Sequence, residues 1–142
     1  MKQFIVLLAT VPLLLIFMVQ FSMDQAYSAK VTVINDCVYT AKEQAKQQGC
    51  FTSEILDELR TNLSMRLDIS VSEIIVDPIT DVAPSVKYRL SSDTETWEAS
   101  LIRYKFYVKV GDVLAGRSLL RSDAKEYYYV AEGQTTSERL AP

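Results

Sequence analysis

The spacing of apolar and polar positions changes twice along the chain. From Phe4 to Phe21 the sequence reads FIVLLATVPLLLIFMVQF, with only Thr10 and Gln20 polar and no charge between Lys2 and Asp24. Such a run predicts a membrane-spanning helix, because crossing the hydrocarbon of a bilayer takes about 20 mostly apolar residues at about 1.5 Å each. Pro12 falls mid-span, where a membrane helix tolerates a kink. Beyond the run, Val31, Ile34, Val38, Ala41 and Ala45 recur at helical steps, with Lys30, Asp36, Lys42, Glu43, Lys46 and Gln47 on the opposite face. That is a heptad-like seam. No Gly or Pro interrupts the chain from Leu13 to Gln48, and Gly49 suits a left-handed helix end. The expectation is one continuous helix from about Phe4 to Gln48, roughly 65–70 Å long.

A second helix is expected immediately afterwards. Thr52 is a good N-cap, Phe51 and Leu56 are spaced for a hydrophobic staple, and Ile55, Leu56, Leu59, Leu63 and Leu67 form one face. Acidic residues lead this helix and Arg60 and Arg66 follow, as the helix dipole favours. The very short connection predicts antiparallel return onto the first helix.

From Ser70 onward the period becomes two. Val71 and Ile74–Val76 read as a strand stopped by Asp77-Pro78, Val86–Leu90 as a second, and Leu101–Val110 as the clearest. In the last, Ile102, Tyr104, Phe106, Val108 and Val110 alternate with Arg103, Lys105, Tyr107 and Lys109, the pattern of a half-buried antiparallel strand. Leu119 and Leu120 are placed to cap the sheet, Tyr127–Ala131 reads as a final strand, and Gln134–Pro142 as a loose polar tail.

The fold class is therefore α+β: a long transmembrane-plus-stem helix, a short second helix and a three- to four-stranded antiparallel sheet. The chain divides into an anchor (1–23), an amphipathic stem (24–49) and a small exported head (50–142). Lys2 favours a cytoplasmic N-terminus, a single pass through the cell membrane and an extracellular head. The rival is a cleaved signal peptide, with Ala26-Tyr27-Ser28 as a small-x-small site, leaving a secreted or tethered binding domain. The apolar run exceeds the usual signal core of about 7–15 residues, which favours the uncleaved anchor.

Composition narrows the function. Among 142 residues there is no His, which removes the commonest general base and zinc ligand, and with them Ser-His-Asp and Cys-His catalysis. A formal charge of −3 argues against a nucleic-acid partner held by phosphate neutralisation. Cys37 and Cys50 lie about 19 Å apart on an unbroken helix, too far for a disulfide. Asp77, Asp81, Asp93, Glu95 and Glu98 offer loop carboxylates without EF-hand spacing, Trp97 and Tyr127–Tyr129 read as core or rim, and Asn62-Leu63-Ser64 is a glycosylation sequon. No catalytic, cofactor or metal site is expected, and the protein is read as a non-enzyme.

The segments Gln3-Phe4, Val11-Pro12-Leu13-Leu14-Leu15, Phe21, Val33-Ile34-Asn35-Asp36 and Ala41–Lys46 together resemble TadE-type minor pseudopilins of tight-adherence pilus systems, and related small proteins of Gram-positive secretion or conjugation loci. The likeness covers about residues 3–50, with Gln3-Phe4 where the family often has Glu-Phe. It implies assembly or priming of a surface appendage, with the bilayer, other pilin-like subunits, further copies of the chain and secretion machinery as partners. Gln3, Phe4, Pro12, Val31, Ile34, Val38 and Ala41 are the residues expected to carry assembly contacts. For Val38, Ala41 and Ala45 packing on the protein's own head is weighed first, and assembly is favoured around Met23–Val31.

Overall fold

The computed structural model describes residues 1–85, 100–111 and 127–140. Helix α1 (Lys2–Gln48) is continuous through span and stem, as the absence of breakers after Pro12 predicts. Pro12 lies within it and has no N–H for the preceding turn. Two residues earlier, Thr10 Oγ1 donates to the Val6 carbonyl at 2.9 Å, so its hydroxyl is paired in an apolar stretch. Gly49 ends the helix at φ 88°, its N–H donating to the Ala45 carbonyl. A Cβ there would collide with the Ser85 carbonyl, so both backbone sign and space demand glycine.

Helix α2 (Ser53–Leu67) starts at Thr52, whose hydroxyl accepts from the Ile55 N–H at 3.4 Å. It ends without glycine: Asp68 itself takes the left-handed conformation, φ 55° and ψ 47°. The Ser64 hydroxyl donates to the Ile69 carbonyl and steadies the exit. A single 3-10 turn, Val71–Glu73, follows and is held by a reciprocal capping box between Ser70 and Glu73. Val71, read from sequence as strand, therefore belongs to this turn.

Three strands form an antiparallel sheet in the order β1 (Ile74–Val76), β2 (Leu101–Lys109), β3 (Tyr128–Thr136). Ile74 pairs with Val108, and Val108 with Tyr129. After β1 the chain continues alongside β2 by other means. Asp77 and Asp81 N–H groups donate to the Lys105 and Arg103 carbonyls, the Thr80 hydroxyl accepts from the Lys105 N–H, and an Asp81 carboxylate oxygen accepts from the Arg103 N–H. The expected strand Val86–Leu90, together with Leu119 and Leu120, lies outside the described residues.

The helices cover one face of the sheet. The core joins Ile34, Val38, Ala41 and Ala45 of α1, Ile55, Leu59, Leu63 and Leu67 of α2, and Ile102, Phe106 and Val108 of β2. Phe51, at the turn between the helices, meets Phe106 edge-on at 5.6 Å between centroids and Tyr104 at 5.7 Å, favourable aromatic geometries.

The expected loose tail is ordered through residue 140. β3 extends to Thr136, and Ser137 is 2% exposed. The cause lies in the backbone. The Ser137 N–H donates to the Ser100 carbonyl, the Ser137 hydroxyl to the Ser85 carbonyl, and the Glu138 N–H to the Lys46 carbonyl at 2.8 Å. The last bond serves one of the carbonyls that a helix C-terminus leaves without a partner. Lys46 and Glu138 also pair at 3.0 Å.

Candidate membrane anchor and packing surface

Two environments divide α1. From Phe4 to Phe21 every side chain is exposed, including Phe4 at 66%, Leu14 at 61% and Phe21 at 66%. At about 1.5 Å per residue this stretch is ~27 Å long, close to the ~30 Å hydrocarbon thickness. Among the described residues, α1 is the one helix long and apolar enough to cross a membrane. An apolar helix in this position has the form of a membrane span or a signal sequence.

The second half of α1 packs on the chain's own head. Ile34, Val38 and Ala41 are 0%, 5% and 3% exposed, and Cys37 and Ala45 are buried beside them. Ile34, Val38 and Ala41, named among the expected assembly residues, pack in the core that this chain's own α2 and sheet complete, the packing weighed first for Val38, Ala41 and Ala45. Val31 is half-buried, whereas Gln3, Phe4 and Pro12 are exposed. Tyr27 packs against the same core from below, so the head reaches down the stem almost to the apolar run. Tyr27 lies four residues before Val31, one step further down the same seam, so its spacing agrees with this role although the seam expected from sequence begins only at Val31. The Tyr129 hydroxyl, 3.1 Å from Asn35 Oδ1, ties β3 to the stem at the same end.

The remaining candidates among the described residues are accounted for by the fold. Asp77 accepts from the Ile79 N–H, and Asp81 pairs with Arg103. No metal-holding cluster occurs among the described residues, and Asp93, Glu95, Glu98 and Trp97 lie outside them. Asn62 sits mid-helix beside fully buried Leu63. Cys37 and Cys50 are free, buried thiols, and burial pushes the Cys37 thiol up, partly offset by Arg66, the inert condition of a cysteine. A shallow cleft of about 190 Å³ opens beside Gln44, Gln48, Thr52 and Glu58, smaller than typical ligand pockets of about 300–1,000 Å³. The Gln44 amide spans it to the Glu58 carboxylate at 3.2 Å.

Ion pairs line the outer sheet surface and the lower turn. A hydrogen bond from the Ser70 N–H, then Lys109 at 3.1 Å, holds the Glu73 carboxyl below its ordinary range. Glu132 raises Lys105, and Glu138 raises Lys46. No protein-family model, curated protein or solved structure matches this chain. The arrangement is suited to tethering and to packing, with the exposed helical surface from Phe4 to Phe21 as its most distinctive feature.

Proposed function

We propose that the protein is a single-pass, membrane-tethered, pilin-like subunit that serves assembly of a surface pilus or of a secretion or conjugation apparatus through helix packing, and that it is not an enzyme. The observation that carries this reading is the double use of α1. One unbroken helix is apolar and bare on all sides over 4–21, then supplies the central core helix of its own head over 34–45. A rigid join of this kind fixes the head relative to the bilayer, as a subunit that must dock in register requires. The N-terminus is cytoplasmic and the head extracellular, by the position of Lys2 before the run and Asp24 after it. The TadE-type likeness over residues 3–50 supports the same role.

Retention of the anchor is supported by the region around Ser28. Cleavage before Ala29 would cut α1 in mid-helix, where the Thr32 hydroxyl donates to the Ser28 carbonyl. It would also remove Tyr27, which packs on the core. The test is the intact mass of the protein recovered from membranes, with alkaline carbonate extraction and protease protection of the head. A mass including residues 1–28, resistance to extraction and a protease-accessible head are expected. A mature chain starting near Ala29 in the soluble fraction would refute the tether.

A further inference from the structure

We propose that the lower end of the head, where Val71, Tyr127 and Tyr128 lie, seats in the lipid headgroup layer; this rests on the membrane-spanning reading of α1. The placement follows from lengths fixed at both ends of β3. At the top, the Glu138 N–H donates to the Lys46 carbonyl; near the bottom, the Tyr129 hydroxyl meets Asn35. β3 therefore runs alongside α1 in the same direction. From 138 to 128 an extended strand descends at most ~33 Å. From 46 to 21, α1 descends about 37 Å. Asn35 stands about 21 Å above Phe21, and the backbone of Tyr129 lies within a tyrosine side chain's length of it. These bonds put Tyr127 and Tyr128 at the membrane-proximal end of the head, and Tyr27, about 9 Å above Phe21, packs on the same core. A headgroup layer is about 5–8 Å thick in each leaflet, and membrane helices tilt by about 20° on average, which lowers one side of the head onto it.

The side chains suit that depth. Tyr127, Tyr128 and Val71 are 43%, 36% and 49% exposed. Tyrosine is enriched at membrane interfaces because its ring is apolar and its hydroxyl wet. Among the described residues at this end, Glu73 and Lys109 pair at 3.1 Å, and Lys109 is registered against Tyr128. Val71 belongs to the turn that carries Glu73. A second copy of the chain is the less suitable occupant. Partly exposed side chains in this number offer a few hundred Å², against about 800 Å² per partner in a stable interface. The bilayer, continuous with the span, covers the same surface without needing a complementary protein.

The test uses the full chain in liposomes carrying a headgroup-attached quencher. The variants Tyr127→Cys, Val71→Cys, Leu140→Cys and Ser22→Cys are labelled with a fluorophore at the introduced thiol; all four positions are exposed, whereas native Cys37 and Cys50 are buried. Labels at 127 and 71 are expected to be quenched at least about twofold more than the label at 140, which lies a head's height from the bilayer. Quenching at 22 with 127 and 71 matching 140 overturns the seating while leaving the span intact. Absence of quenching at 22 overturns the span reading itself. A label at 127 that is silent to lipid and shielded only at high protein density overturns the seating in favour of a second copy.

Discussion

Replacing Ile34 with alanine separates a core role from an assembly role. Ile34 has no exposed surface and lies in the cluster formed by both helices and the sheet. The substitution deletes three buried carbons, about 2.4 kcal/mol at about 0.8 kcal/mol each. An unrelaxed cavity raises the loss toward about 5 kcal/mol. Alanine's better helix propensity returns a few tenths of a kcal/mol. The net loss is about 2–4 kcal/mol, a large share of the ~5–15 kcal/mol available to a domain. Hydrogen exchange of β2 amides in dilute, monomeric micelles reads it directly. The Phe106 and Val108 amides should lose about thirty- to a thousand-fold of protection, since a tenfold change corresponds to about 1.4 kcal/mol. If Ile34 instead serves a neighbouring subunit, the monomer would keep its protection, and a change below about threefold would refute the packing argument.

Gly49→Ala should destabilise the head by at least about 1–2 kcal/mol, because φ 88° is left-handed and the new Cβ meets the Ser85 carbonyl; the denaturation midpoint measures it. Glu73 governs part of the acid limb. Its folded pKa is depressed by the Ser70 N–H and Lys109, so its contribution is complete above the ordinary glutamate range and is lost as pH falls through the lowered value. Glu73→Gln should flatten that limb in a stability-versus-pH series, and added salt should shrink the wild-type effect. Cys37, buried with a raised thiol pKa, should alkylate far more slowly than in unfolded chain at neutral pH, which mass spectrometry after a short iodoacetamide pulse will show.

Where a local rule and the tertiary environment agree, the chain is readable from its residues. The absence of Gly and Pro after Pro12 predicts the unbroken α1, Gly49 predicts its end, Thr52 the next beginning, and the alternation in Leu101–Val110 the central strand. β3 is longer than expected because its second half, Glu132–Thr136, has no apolar residue to mark an inner face. There Gly133 sits opposite Tyr104, whose ring fills the space a side chain would take: a Cβ would lie 2.6 Å from its hydroxyl oxygen. The attachment of Ser137 and Glu138 is equally hidden, since main-chain groups make most of those bonds. The α2 terminus at Asp68 shows the same limit: a non-glycine residue adopts the left-handed conformation, supported by the Ser64–Ile69 bond that only the folded chain supplies. For the candidate site, the apolar run was legible from composition alone. The seam was legible in part: Val38, Ala41 and Ala45 read first as packing on the chain's own head, while a narrow stripe at Val31 and Ile34 suits a partner helix as well.

On the proposed reading, burial of the seam moves the assembly surface. The head consumes the seam from Ile34 to Ala45, so the contiguous apolar surface left on α1 lies at and below Val31, chiefly within Phe4–Phe21. Inside a bilayer, lipid is as apolar as leucine, so burial from water cannot drive subunits together there. Association must come from close packing and shape. Pro12 is the one residue in the run that imposes shape on the helix, while Ala9 and Thr10 just before it are small enough for a neighbouring backbone to approach. On the proposed reading, a subunit built this way would select its partners within the membrane. Substitutions at Pro12 should therefore disturb assembly and leave β2 protection unchanged, the reverse of the result at Ile34.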